Sequence, residues 1–233
     1  MKKIFFSIII SLILAFTGCK KDNSANPVAS TSSSDTLTVT YAGQTYHTVQ
    51  IGNQIWFQEN LNIGTMIKSS QGQTNNGVIE KYCYNDDSAN CTTYGGLYQW
   101  AEVVQYQNGA TNTSSANSAL SGNIQGICPS GWHIPTLNEF DTLENTISQD
   151  ANSLKAIGQD SYSTDTSGFS ALFAGDHVNG ASYQELGGNT YFWSSTEDNS
   201  ANAYILGMGF NESSTFTFAS LKLDGFSVRC VKN

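Results

Sequence analysis

The sequence predicts an α+β fold: two helices packed on short, mostly antiparallel strands, rich in loops. Three observations predict it. Leu37–Gln58 alternates apolar and polar residues between Gly turns. A capped amphipathic helix starts at Thr136. Beyond Gly168, short β-like stretches recur, separated by Gly, Asn, Asp and Ser.

The first 18 residues read as a leader. Met1-Lys2-Lys3 precedes an apolar run, Ile4–Phe16, and then Thr17-Gly18-Cys19. Two lysines, an apolar stretch and a small residue before the break make a secretory signal. The run is shorter than the ~20 residues a spanning helix needs. Thr17-Gly18-Cys19 resembles the bacterial lipobox, with Phe16 where leucine is usual, so Cys19 is expected to be acylated. Each buried methylene contributes ~0.8 kcal/mol, so two or three acyl chains hold a soluble body at a membrane. Residues 19–36 are rich in Ser, Ala, Asn and Thr and read as a flexible tether. Residues 37–233 form the domain. The expected location is the cell envelope, at the outer membrane.

The chain has 10 Lys and Arg against 19 Asp and Glu, a net charge of −9. Loss of Lys2 and Lys3 with the leader leaves 8 bases, so the charge becomes about −11. An acidic surface repels phosphate backbones, which excludes nucleic acid as a partner.

Cys83, Cys91, Cys128 and Cys230 are an even set in an oxidising compartment, so disulfides are expected. Three pairings exist. Local closure favours Cys83–Cys91, which leaves Cys128–Cys230. Zinc would need close pairs such as C-x-x-C, and the chain has none.

Leu37–Gln58 reads as a three-stranded meander with turns at Ala42-Gly43 and Gly52-Asn53. Ser69–Gly77 is a polar surface loop. Asn85–Asn90 reads as a turn pinned by the Cys83–Cys91 bridge. Leu97–Gln105 carries Leu97, Trp100, Ala101 and Val104 at helical spacing, with Trp100 in the core. Tyr106–Gly126 is a long exposed loop. Thr136 and Glu139 form a capping box ahead of Leu137, Phe140, Leu143 and Ile147, and this helix should run to about Gln149. Asn152–Ile157 suggests a short further helix. Strands are expected at Phe169–Ala174, Tyr191–Thr196, Ala203–Phe210, Thr215–Phe218 and Phe226–Val231.

Several phrases carry a family resemblance. They are Gly52-Asn53-Gln54-Ile55-Trp56 through Glu59-Asn60-Leu61, Cys83-Tyr84 through Tyr94-Gly95-Gly96-Leu97-Tyr98-Gln99-Trp100, and Cys128-Pro129-Ser130-Gly131-Trp132-His133. Gly168-Phe169-Ser170-Ala171-Leu172, Phe192-Trp193-Ser194-Ser195-Thr196-Glu197 and Gly225-Phe226-Ser227-Val228-Arg229-Cys230-Val231 follow in order. Together they resemble the Fibrobacter succinogenes major paralogous domain of Bacteroidetes lipoproteins. The resemblance implies a C-type-lectin-like fold, shared with formylglycine-generating enzymes. One departure stands out. After Phe169-Ser170-Ala171-Leu172 the family often reads Gly-Gly-Tyr-Arg or similar, and this chain has Phe173-Ala174-Gly175-Asp176-His177, which leaves Arg229 as the sole arginine.

Arg229, between Val228 and Cys230, is expected to be partly buried and to need a carboxylate partner from Glu59, Glu102, Glu139 or Glu197. Trp132, Trp193, Thr136 and Glu139 are expected to be structural. There is no Gly-x-Ser-x-Gly elbow, and His133 beside a proline reads as structural, so no catalytic residue is assigned. The lectin calcium triplets are absent, so no cofactor is expected. Glu197, Asp198, Asn199, Asn211 and Glu212 are the weak calcium candidates, read first as polar turn residues. Tyr84, Tyr94, Tyr183 and Tyr191 sit among Gly and Asn, where a ring can stack on a sugar. With Glu197 and Asp198 they are the candidate ligand-binding residues. The sequence thus points to recognition or adhesion, with carbohydrate or protein as ligand. The rival readings are a structural envelope lipoprotein and an enzyme related to the formylglycine-generating oxidases.

Overall fold

The computed structural model describes residues 37–179 and 182–233. The leader, the acylation candidate Cys19 and the tether lie outside the described residues.

The meander forms as expected. β1 (Thr38–Tyr41), β2 (Gln44–Ile51) and β3 (Gln54–Phe57) pair antiparallel in sequence order. Their turns use Gly43 (φ 78°) and Gly52 (φ 59°), where a left-handed backbone favours glycine. Alternation in β2 buries Tyr46, Thr48 and Ile51 and leaves His47 and Gln50 outside.

β4 (Thr65–Met66) and β5 (Glu80–Lys81) make a small parallel pair. Helix α1 (Ser88–Tyr94) occupies the stretch read as a turn. The Asp87 side chain accepts the Ala89 N–H at 2.9 Å and caps it. β6 (Tyr98–Gln99) then leads into the single turn α2 (Trp100–Val103). β7 (Trp132–His133) precedes α3 (Leu137–Thr146). The remaining strands are β8 (Ala174–Val178), β9 (Ser182–Leu186), β10 (Asn189–Glu197), β11 (Asn202–Gly209), β12 (Phe216–Leu221), β13 (Gly225–Phe226) and β14 (Val231–Lys232).

The order β1-β2-β3-β14-β7 makes a five-stranded sheet. A seven-stranded sheet runs β12-β11-β10-β8-β13-β6, with β9 on β8. Trp100, Trp193, Phe226, Phe57 and the Cys128–Cys230 bridge fill one apolar cluster. Trp56, Phe140, Leu143, Phe169 and Phe192 fill the other, beneath α3.

The expected α+β, C-type-lectin-like arrangement of two helices on short strands is overturned. The described residues are mostly β, with 35% strand, 15% helix and three helices among them. Two physical causes account for this. The helical spacing of Leu97–Gln105 is overridden by pairing of Tyr98 and Gln99 with Phe226 and Gly225, so one helical turn survives. Of the strands after Gly168, β10 and β12 are longer than expected, because β10, β11 and β12 cover one another over most of their length, whereas the expected strand Phe226–Val231 is two short strands, β13 and β14, in different sheets. Phe169–Ala174 is not a strand before Ala174, and Asn152–Ile157 keeps only a 3-10 turn at Ala151–Ser153.

Both disulfides of the local-closure reading form. Cys83 bonds Cys91, and Cys128 bonds Cys230 across 102 positions. The capping box also forms. Glu139 N–H donates to Thr136 Oγ1 at 3.2 Å, and Thr136 N–H donates to Glu139 Oε2 at 2.8 Å. Glu139 Oε1 also meets His133 Nε2 at 2.8 Å, so one carboxylate joins the helix cap to β7. Burial opposes ionisation of Glu139, but the His133 and Thr136 bonds outweigh it and hold its pKa below the usual range.

Candidate functional site

β8 and β9 pair with His177 opposite Tyr183. The η1 turn (Tyr84–Asp86) comes up beside them, and the Tyr84 and Tyr183 rings meet at 5.1 Å. Tyr183 lies edge-on to His177 at 5.2 Å, and His177 stacks on Tyr82 at 3.9 Å. A row of four rings thus crosses this end of the sheet. Tyr84 and Tyr183 are half-buried, and Tyr82 and His177 are buried.

Asp86 fixes the row to the polar loop. Its carboxylate accepts the Tyr183 hydroxyl at 2.9 Å, the Ser69 N–H at 2.8 Å and the Ser69 hydroxyl at 3.0 Å. Burial pushes the Asp86 pKa up, and these three donors pull it further down, so the group stays ionised. Burial lowers the His177 pKa and keeps the imidazole neutral. Its Nε2–H donates to Ser69 O at 3.1 Å, and Nδ1 is buried without a partner.

A cleft of about 460 Å³ opens beside the row. Gln71, Gln73, Gln99, Asn112 and Asn179 bring amides to its wall. Gln73 and Gln99 are themselves cross-linked: Gln99 Oε1 accepts the Gln73 N–H at 3.1 Å, and Gln73 Oε1 accepts the Gln99 N–H at 2.8 Å. Asn112 Nδ2 donates to Gln99 Oε1 at 3.1 Å. Gln73, Gln99 and Asn112 are therefore fixed, with their amides also serving Leu97 O, Leu223 O and the Ala101 N–H, and Gln71 Nε2 and the Asn179 amide are the wall's groups left for a ligand.

Of the candidate residues, the fold brings Tyr84 and Tyr183 together. Tyr94 lies elsewhere, in a cleft of about 400 Å³ with Glu59 and Arg229. Tyr191 lies between Phe216 and Phe226, at 6.2 and 5.1 Å. Glu197 is taken by Lys222 in an ion pair. Asp198 accepts from the Tyr204 hydroxyl at 3.0 Å and from Asn199 at 2.6 Å. Asn211 and Glu212 sit beyond the other end of β11, roughly 25 Å from Asn199 at strand rise. The five weak calcium candidates therefore cannot share one ion.

Arg229 corrects another expectation. It is buried, and none of Glu59, Glu102, Glu139 and Glu197 is within ion-pair distance among the described residues. Its Nε–H donates to Asn60 Oδ1 at 2.6 Å, and its other donors reach the carbonyls of Phe57, Phe169 and Ser170. The Phe169 and Phe192 rings lie 4.5 and 5.4 Å from its centre. Carbonyl dipoles and π faces replace the carboxylate, and burial lowers its pKa to about 9.

Trp193 Nε1–H donates to Tyr98 O at 2.7 Å, and Trp132 packs on Phe57 at 4.4 Å. Sequence reasoning missed His177, Asp86 and the amide wall. Gln71 and Gln73 were visible only as members of a polar loop.

A family model described as the Fibrobacter succinogenes major domain matches residues 49–232. The chain belongs to this family. No curated protein and no solved structure matches it. The Fibrobacter succinogenes major domain starts inside β2 and ends inside β14, so it holds both disulfides, the ring row and the whole amide cleft. Asp176 and His177 fall on β8, and His177 lines that cleft. Both residues carry a buried polar atom without a partner, Asp176 Oδ1 and His177 Nδ1.

Proposed function

We propose that this is a lipid-anchored envelope protein whose domain recognises a neutral, hydroxyl-rich ligand of the carbohydrate class, without turnover. The observation that carries it is a cleft whose wall joins the Tyr82 and His177 rings to side-chain amides, with Tyr183 and Tyr84 continuing the ring row just outside its lining. Rings supply an apolar face for a pyranose, and amides offer both donors and acceptors to its hydroxyls. The cleft has the size of a small-ligand site.

Recognition without chemistry is favoured by what the reactive groups are doing. All four cysteines among the described residues are in disulfides. His133 is buried with both ring nitrogens engaged. His47 is tied to Glu59 at 2.6 Å on the surface. The anchor rests on the lipobox resemblance at Cys19 and on the leader.

A glycan array, followed by calorimetry on any hit, tests the reading. Binding of neutral oligosaccharides, weakened about tenfold or more in Tyr183→Ala, is expected; tenfold corresponds to ~1.4 kcal/mol. Binding that survives Tyr183→Ala and Gln71→Ala unchanged would remove the cleft from the account. Acyl mass on the amino-terminal peptide tests the anchor, and an unmodified Cys19 in the exported protein rejects it.

A further inference from the structure

Helix α1 has 7 residues, and its only buried residue is Cys91. The η1 turn before it has none. Neither Cys83 nor Cys91 belongs to an apolar cluster, whereas Cys128 and Cys230 both sit in the first. Isolated helices shorter than ~12–15 residues are marginal in water, so α1 depends on its attachment. Asn85 (φ 57°) and Asp86 (φ 55°) are successive left-handed residues. Such a backbone is costly and persists only where its surroundings hold it. The other ties of this segment are polar or half-exposed. Asn60 Nδ2–H donates to Tyr94 O at 2.8 Å, the Tyr84 ring meets Tyr183, and Asp86 accepts from Ser69 and from the Tyr183 hydroxyl.

We propose that the Cys83–Cys91 bridge is a redox-sensitive latch on the amide cleft. A dithiol reductant opens it, η1 and α1 undock, and one side of the cleft loses its hold while both apolar clusters stay folded. The route from bridge to cleft is short. Asp86 stands three residues after Cys83 and takes both the N–H and the hydroxyl of Ser69. Ser69 opens the run at 69–73 that lines the cleft, and its carbonyl accepts from His177 Nε2–H at 3.1 Å. Tyr82, next to Cys83, donates its hydroxyl to Gln71 O at 2.7 Å. Release of η1 therefore slackens the ring row and the run at 69–73 together.

The two bridges differ in access as well. Cys91 lines the cleft of about 400 Å³ with Thr92, Thr93 and Tyr94, which gives a small dithiol a path to it. Cys128 and Cys230 are fully buried in the core. A thiolate of the reductant attacks Cys91 Sγ, the S–S bond breaks, and Cys83 leaves as thiolate. The second thiol of the reductant then displaces Cys91. The reductant ends as a cyclic disulfide, and its two electrons and two protons end on the two cysteines. The latch acts on the cleft whatever the cleft binds, so its test needs no ligand.

Graded dithiothreitol on the oxidised protein, followed by iodoacetamide and peptide mass, tests the order of opening. Cys83 and Cys91 are expected to be alkylated at reductant levels that leave Cys128 and Cys230 bonded. In that half-reduced protein, hydrogen exchange should rise about tenfold or more at Ser69 and over residues 84–94, while the β10 and β11 amides keep their protection. The double variant Cys83→Ala, Cys91→Ala should fold and show the same rise without reductant. Labelling of all four cysteines together, loss of β10 and β11 protection with the first label, or a double variant that does not fold overturns the latch. Exchange that rises over residues 84–94 and not at Ser69 overturns its link to the cleft.

Discussion

Arg229 donates its Nε–H to Asn60 Oδ1 at 2.6 Å, and both residues are buried. Asn60 passes the link on, since its Nδ2–H groups donate to Tyr94 O at 2.8 Å and to Ser227 Oγ at 3.2 Å. The pair thereby ties the end of β3, the end of α1, the Phe169–Ser170 segment and the chain between β13 and β14. Arg229→Met strands three carbonyls and the Asn60 amide in the core. The expected loss is at least ~3 kcal/mol, since each buried acceptor left without a donor costs ~1–3 kcal/mol. Asn60→Ala should cost less, ~1–3 kcal/mol. Urea unfolding of both single variants and the double checks this, and the double should cost clearly less than their sum. Additive losses would mean that the two residues act separately.

The two disulfides should differ in worth. The Cys128–Cys230 bridge closes a loop of 102 positions and the Cys83–Cys91 bridge one of 8. The chain-entropy relation gives ~4.7 kcal/mol for the long loop and ~2.6 kcal/mol for the short one. Paired Cys→Ala variants, melted side by side, check the ranking. Equal losses would contradict the entropic account.

Asp176 is buried, and its pKa is raised to about 7 by burial first and then by Asp224 and Glu185. The unfolded chain releases this proton near pH 4. Between those values the native state holds a proton that the unfolded state has lost, so this group makes stability fall as pH rises. Below the window the penalty is absent, and above about pH 7 it is complete. Asp176→Asn should therefore raise the melting midpoint at pH 8 and change it little at pH 4. His177, whose pKa is lowered by burial, acts in the opposite sense at acidic pH, so the variant isolates the Asp176 effect better than the wild-type profile does. An equal shift at both pH values would contradict the assignment.

Thr136→Ala removes one half of the capping box and should cost ~1 kcal/mol. Glu139→Gln should cost more, because Glu139 also holds His133 in β7. Thermal melts at neutral pH rank the two. The reverse order would mean that the bond to β7 contributes nothing.

Much of the local structure was legible. Alternation and Gly turns gave the meander, and Thr136 with Glu139 gave α3, because both signals are contained in a few adjacent residues. The long disulfide followed from the short one by elimination. What was not legible is tertiary. Gly175, Asp176 and His177 fall between the expected strands, and they form β8 only because β9, β10 and β13 lie alongside. Tyr98 and Gln99 fit a helix by spacing and a strand by partner. Arg229 was expected to take a carboxylate, and it takes carbonyls from distant segments instead, which leave no mark in sequence. Tyr84 and Tyr183 were named singly, and nothing along the chain joins two residues so far apart. The amide wall was hidden for the same reason.

The ring-and-amide cleft bears the functional account, so calorimetric titration of a neutral oligosaccharide that scores on a glycan array is the most direct measurement. The account expects saturable binding that falls about tenfold or more in Tyr183→Ala and also in Asp86→Ala, which removes the acceptor of the Tyr183 hydroxyl, while the fold stays intact. Full-strength binding by both variants, or tighter binding of an acidic sugar than of its neutral counterpart, would contradict it.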